Sequence, residues 1–276
     1  MTDTVARSAG TSPDAARLGP PPFAADAPFP RAMRGLERPL TVPEQLACAL
    51  RILARHGWTD SIGGHITWVE RDADGRDTGN LWVNPWGIWW EEVRASDILL
   101  VSGEGEVLAG RWDVTPAVHI HTELHRARAD AAVVVHNHPY HATILANLGI
   151  APEVAHQNAC IFDGELGLVD EYDGSVDTAS AGERLARAVG SASGVLLVSH
   201  GAIVTGPTIE EAAYKAVQFE RLCQMQVDAL RLGRTPTGIR PEERRSMQAL
   251  LRRNAPDSFW HGAVRLLLRD EPDVLE

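Results

Sequence analysis

VVVHNHPYH, residues 133–141, runs three valines into three histidines within six positions. In an extended strand successive side chains point to opposite faces, so His136 and His138 share one face while Asn137 points away. Neutral imidazole is the commonest metal ligand among protein side chains, and two on one strand face need only one or two further donors to hold a divalent ion. A pair of histidines hydrogen-bonded at a strand end is the other reading. These nine residues alone leave both open.

Outward from this strand the chain divides into short apolar runs and periodic segments. TVPEQLACALRILARHG (41–57) predicts a helix, with Thr41 as N-cap, Pro43 in the first turn, Glu44 three residues after the cap and Gly57 at the close. Its apolar face includes Leu46, Leu50 and Leu53. HITWV, NLWVN, DILLV and GEVLAG between 61 and 110 have the character of strands, and SGEG (102–105) that of a hairpin turn. Thr115-Pro116 opens a helix through Arg128. PYHATILANLG is a short helix ended by Gly149, TASAGERLARAVG another, and GVLLVSHGAIV (194–204) reads as strand, turn, strand before the long helix TIEEAAYKAVQFERLCQMQVDALRL. One more helical segment covers about 240–270. Helices and strands therefore alternate irregularly around a mixed sheet. Residues 1 to about 36, rich in Pro, Ala, Gly and Asp with PPP at 20–22, cannot supply much core and are expected to form a flexible arm.

Composition narrows the function. The 276 residues suffice for one large domain with an ample core. A net charge of -11 and a pI near 5.5 provide no basic footprint, which argues against nucleic acid and anionic membrane surfaces and for a small-molecule partner. Three widely spaced cysteines, Cys48, Cys160 and Cys223, form no CxxC pair, so neither a disulfide framework nor a thiolate zinc site is indicated. No run approaches the roughly 18–20 apolar residues of a membrane span, and a soluble cytoplasmic protein is expected.

His200 follows a second buried apolar run and precedes Gly201, whose missing side chain allows close backbone approach. It is the third donor that the HNH pair lacks. HNH, then about sixty residues, then an apolar strand ending in HG resembles the class II aldolase/adducin family over roughly residues 42–232. That resemblance implies an α/β, three-layer fold around a largely antiparallel mixed sheet flanked by helices. It also implies a divalent metal on His136, His138 and His200, and a homotetramer with sites near subunit interfaces. The division expected is a 1–36 arm, a 37–235 family domain and a 236–276 C-terminal helical extension. Phe259, Trp260 and His261 of that extension are candidates to reach a neighbouring site.

The departures from the family pattern concern the substrate. Sugar-phosphate aldolases of the family open the helix before HNH with Ser-Ser-Glu; here the glutamate position is Ala117, within TPAVHIH. A methyl group can neither shuttle a proton nor ligate a metal. The phosphate-binding stretches of those aldolases correspond to GHIT (64–67), PWG (85–87) and Thr115-Pro116, with bulky Trp86 in place of a hydroxyl. The chain is therefore not expected to be a sugar-phosphate aldolase. NLWVNPWGIWWEEV places Trp82, Trp86, Trp89 and Trp90 within nine residues, and indole surface suits an aromatic or prenylated substrate. Trp82 is assigned to the core and Trp86 to the pocket. His65, Gly87, Thr115 and Ala117 complete the candidate substrate-binding set.

His121 lies one turn after Ala117 and can face the site, whereas His119 points elsewhere and His125 is a further turn away. His121 and Tyr140 are the candidate catalytic residues, and His141 directly follows. For His121 a structural role is the reading preferred over acid–base work, since histidine at this place also occurs in aldolases that use glutamate. His156, Gln157 and Asn158 form a polar loop that is a candidate pocket rim, and Asp170, Glu171 and Asp173 read as a solvated turn. Three histidines without a ligand glutamate leave coordination positions for a chelating 2-oxo acid or catechol and a further small ligand. The whole pattern resembles the branch with prenylated hydroxyphenylpyruvate oxygenases of aminocoumarin antibiotic biosynthesis and dihydroxyphthalate-type decarboxylases. The reading favoured is a non-haem Fe(II) oxygenase acting on a small aromatic acid with dioxygen, Zn or Mn being the other metals considered. Non-oxidative decarboxylation or aldol-type lysis is the alternative chemistry, and a non-catalytic adducin-like module the alternative class.

Overall fold

The computed structural model describes residues 34–171, 174 and 176–276. The expected flexible arm lies outside the described residues except for its last three, of which Leu36 packs against the main core; Asp173 also lies outside them.

Helix α1 spans Val42–Arg55. It begins at Thr41, whose hydroxyl accepts from the Glu44 N–H while the Glu44 carboxylate accepts from the Thr41 N–H at 2.7 Å, so two donors that a helix start leaves open are satisfied reciprocally. Leu46, Leu50 and Leu53 are fully buried on its inner face. The strands follow as β1 (His65–Arg71), β2 (Asp77–Val83), β3 (Leu99–Val101), β4 (Val107–Ala109), β5 (Val133–Asn137), β6 (Leu166–Val169), β7 (Gly194–Leu197) and β8 (Gly201–Gly206). They form one eight-stranded sheet in the order β4-β3-β2-β1-β5-β8-β7-β6. Among the described residues, only the β6–β7 pair is parallel.

The remaining helices are α2 (His119–Ala127), α3 (Tyr140–Asn147), α4 (Ala179–Val189), α5 (Ile209–Arg231) and α6 (Pro241–Asp270). Helices α2 and α4 cover one face of the sheet, and α1, α3 and α5 the other, with α6 against α5. This is the three-layer α/β arrangement with a largely antiparallel sheet. Strand β5 lies in its middle, between β1 and β8. Val133 and Val135 enter the larger core beneath α1 and α5, and Val134 enters the smaller one beneath α2 and α4. A strand covered on both faces reads as continuous apolar sequence, and each of these fully buried valines contributes about 1.5–3 kcal/mol.

Helix α6 is built into the same core: Leu251, Trp260, Val264 and Leu267 are buried in it. Trp260 therefore belongs to the interior of its own chain, and Phe259 stacks near Tyr214 and His56. Beyond α6 the chain returns to α1, where buried Arg51 donates to Glu271 at 3.1 Å and Asp273 at 2.9 Å and also to the Val93 carbonyl. No helix among the described residues is long and apolar enough to cross a membrane.

Among the elements without a counterpart in the sequence reading, two bear on the site's surroundings. One is β6, four residues long. The other is a six-residue 3-10 helix, Gln157–Phe162, whose Ala159, Cys160, Ile161 and Phe162 are fully buried. That turn draws the expected polar rim of His156, Gln157 and Asn158 towards α5, where His156 lies near Arg221.

Candidate metal centre

Strand β5 ends with His136 and Asn137, and His138 is the first residue beyond it. On the α1 side, the Asn137 amide donates to the Trp58 carbonyl at 2.6 Å and its oxygen accepts from the His138 N–H at 2.8 Å. The side chain that points away from the two imidazoles thus ties the 58–64 loop to the strand end. His200 comes from the tight β7–β8 turn, where Ser199 holds a left-handed φ of 57° and the His200 N–H donates to the Leu197 carbonyl. Gly201 follows because a Cβ there would lie 2.6 Å from both the Asn137 carbonyl oxygen and His138 Cδ2.

These elements bring one ligand atom each of His136, His138 and His200 within 4.8 Å of one another. His136 donates its Nδ1–H to the Ala202 carbonyl at 3.0 Å, and His138 donates its Nδ1–H to the Asp60 carboxylate at 2.8 Å. Such partners fix the tautomer with the lone pair on Nε2, as metal-ligating histidines require. His138 Nε2 is buried and has no hydrogen-bond partner among the described residues. A buried nitrogen with an unmet lone pair at the meeting point of three imidazoles fits a divalent cation. Burial, reinforced by the neighbouring imidazoles, holds His136 well below the ordinary histidine range, and burial pushes His200 down to about 4. Both are neutral donors at neutral pH.

The ligand set opens into a cavity of about 170 Å³ whose wall includes His65, Asn84, Trp86, Thr115 and Ala117. Thr115 caps the 3-10 turn that precedes α2, its hydroxyl accepting from the Ala117 N–H at 3.3 Å. The wall therefore presents a methyl group at 117 and an indole at 86, where Trp86 is 50 % exposed. Asn84 accepts from the Ile66 N–H and holds β1 against the loop after β2. Trp82 packs on the core and Trp90 is fully buried.

The other candidates lie elsewhere. Gly87 supplies a turn with φ of 87° behind Trp86 and is not part of the cavity wall. Tyr140 is 65 % exposed, its ring 5.2 Å from His141, and neither residue lines the cavity. His141 is instead held by Glu220 at 2.7 Å. His121 is fully buried directly behind His65, their ring nitrogens 2.6 Å apart, and it reaches the cavity only through that residue. Asp60 and Asn84, which sequence reasoning did not single out, hydrogen-bond His138 and the Ile66 N–H, and Thr67, read only as part of GHIT, hydrogen-bonds His121. An aspartate in TDSIGG reads as a turn residue, and nothing in the sequence connects it with a histidine 78 positions later.

The Class II Aldolase and Adducin N-terminal domain family matches residues 44–227. The chain is 28% identical over 185 residues to the meiotically up-regulated gene 14 protein of Schizosaccharomyces pombe, which covers 66% of this chain and 70% of that protein. It is 30% identical over 184 residues to the 4-hydroxy-3-prenylphenylpyruvate oxygenase/4-hydroxy-3-prenylbenzoate synthase of Streptomyces roseochromogenus subsp. oscitans, covering 66% of this chain and 65% of the relative. Among solved structures, L-fuculose 1-phosphate aldolase from Glaciozyma antarctica PI12 superimposes with a TM-score of 0.73 at 23% identity, over 87% of this chain and 97% of that one. That likeness is one of fold. With the family match spanning most of the chain and the three histidines gathered at the expected strand ends, this protein belongs to the class II aldolase and adducin N-terminal domain family.

Proposed function

We propose that this protein is a metal-dependent enzyme that cleaves a carbon–carbon bond in a small aromatic acid, and that it does so as a non-haem Fe(II) oxygenase decarboxylating a hydroxyaryl 2-oxo acid. The observation that carries the reading is the donor set: three converging imidazoles with a methyl group, Ala117, in the wall beside them instead of a carboxylate. Such a set leaves positions for two chelating substrate oxygens and a small third ligand. The 30% identity to a relative named as a prenylphenylpyruvate oxygenase supports the same choice of substrate class. An adducin-like module without chemistry would have no use for an unpartnered, buried His138 Nε2.

His136, His138 and His200 would hold the ion, which would polarise the substrate's oxygens and, as iron, exchange electrons with dioxygen. The protein's own part is to hold the acid. The half-exposed Trp86 indole offers a flat apolar face to an aromatic ring. Asp60 and the Ala202 carbonyl keep two imidazoles in register. The overall reaction consumes one dioxygen for each carbon dioxide released, one oxygen atom entering the new carboxylate and the other a hydroxyl on the adjacent carbon. We place the enzyme in the cytoplasm as a homo-oligomer.

Fe(II)-loaded protein given 4-hydroxyphenylpyruvate should take up oxygen and release carbon dioxide together, and zinc-loaded protein should be inert because zinc has no accessible redox state. Carbon dioxide release that continues unchanged under strict anaerobiosis, or with zinc, would replace the oxygenase by a Lewis-acid lyase.

A further inference from the structure

Behind the cavity wall, four side chains and one carbonyl form a continuous series. His65 Nδ1 lies 2.6 Å from His121 Nε2, His121 Nδ1 2.6 Å from Thr67 Oγ1, Thr67 Oγ1 2.7 Å from His125 Nε2, and His125 Nδ1 2.7 Å from the Ala131 carbonyl oxygen. His65 and Thr67 alternate on one face of β1, and His121 and His125 are one turn apart on α2, so strand and helix periodicities meet along this line.

The series has a direction. A carbonyl only accepts, so His125 carries its proton on Nδ1 and leaves Nε2 as an acceptor. Thr67 has a single hydroxyl hydrogen, which Nε2 of His125 takes, and the hydroxyl oxygen must then accept from His121 Nδ1–H. His121 Nε2 becomes an acceptor in turn and receives Nδ1–H of His65. Each step requires a neutral ring, which the setting favours: His65 and His121 are buried and His125 is half-buried, away from bulk water that would stabilise a charged imidazole. The last lone pair of the series therefore falls on His65 Nε2. That ring lines the cavity, makes no other hydrogen bond among the described residues, and stands outside the three-histidine group.

We propose that the Ala131–His125–Thr67–His121 series locks His65 as the Nδ1–H tautomer, making it a specificity-determining residue that accepts a hydrogen bond from a ligand hydroxyl. The ligand class, which rests on the function proposed above, is an arylalkanoic acid bearing a donor hydroxyl beside its carboxylate: a 2-hydroxy acid or the enol of an arylpyruvate. An ether or a fully ionised phosphate would set lone pair against lone pair. Thr67, His121 and His125 are positioning residues, and they account for two histidines of α2 that the metal does not use.

The lock is read without turnover, from the ring nitrogens of histidine-15N-labelled, zinc-loaded protein by long-range 1H–15N correlation at pH 7. His65, His121 and His125 should each be protonated on Nδ1 alone. His65 protonated on Nε2 would overturn the proposal. In Thr67→Val, which keeps the shape of the side chain but loses the hydroxyl, His65 should populate both tautomers, whereas Thr67→Ser should retain one. A single Nδ1–H tautomer surviving in Thr67→Val would also overturn it. By calorimetry, wild-type protein should bind 4-hydroxyphenyllactate about tenfold or more tightly than its 2-O-methyl ether, and this gap should narrow in Thr67→Val. Equal affinities in the wild type, or an unchanged gap in the variant, would refute the recognition role. If neither acid binds, the functional reading fails, and the nitrogen spectra still decide the lock.

Discussion

At the scale of single residues, the three ligands divide the work of one site unequally. His136 and His138 are held by acceptors on Nδ1, while His200 is placed by a turn whose Ser199 is left-handed. Alanine at any of the three should abolish stoichiometric metal binding with the fold retained, as measured by elemental analysis and circular dichroism; full occupancy in all three would contradict the assignment. Asp60 is more than half exposed and supports the fold little, so Asp60→Ala should leave stability nearly unchanged while weakening metal affinity about 10–100-fold. A metal titration showing no change would mean that Asp60 does not orient His138. The clustering of the three histidines was legible in the sequence because imidazoles alternating at a strand end carry their chemistry in residue type and spacing. Asp60 was not, because an aspartate in a turn looks the same whether or not it faces a histidine.

At the scale of elements, the site depends on how closely β8 approaches β5. The two strands pair from Val133↔Gly206 to Asn137↔Ala202, and Gly201 sits just beyond, against His138. Gly201→Ala would force the added methyl into a carbonyl oxygen and an imidazole carbon, each 2.6 Å away. Overpacking of this kind costs about 1–3 kcal/mol, or roughly 2–4 °C in Tm for each kcal/mol in a chain near this size. Calorimetry should show that loss together with weaker metal binding, since the nearest yielding group is a ligand. Long periodic elements such as α1 and α5 were readable from sequence because their apolar spacing persists over several turns. Strand β6 was not, since LGLV offers only four residues, three of them half-buried, and their pairing partner β7 lies far along the chain. The 3-10 turn at Gln157–Phe162 escaped for a related reason: its polar first residues conceal a fully buried second half.

At the scale of the whole molecule, a line of buried neutral imidazoles couples stability to acidity. In the unfolded chain these histidines titrate near 6.5, whereas burial holds His125 and His200 at about 4 and His65 at about 3 in the folded one. The unfolded state therefore binds more protons below 6.5, and the contribution of these groups is fully present above that pH and lost progressively between about 6.5 and 3. Metal-free protein should lose several degrees of Tm between pH 7 and pH 5, and His125→Gln should flatten that slope; a slope unaffected by the substitution would assign it to other groups. The single large core also joins distant parts of the chain. Arg51 is buried early in the sequence, yet its carboxylate partners stand 220 and 222 residues later. During synthesis at about 5–20 residues per second, that guanidinium waits roughly 10–45 s for its counterions. Until residues 271–273 have been made, the inner face of the nascent α1 carries a charge without its carboxylate partners, so the first helix docks for good only after a segment more than two hundred residues later has emerged.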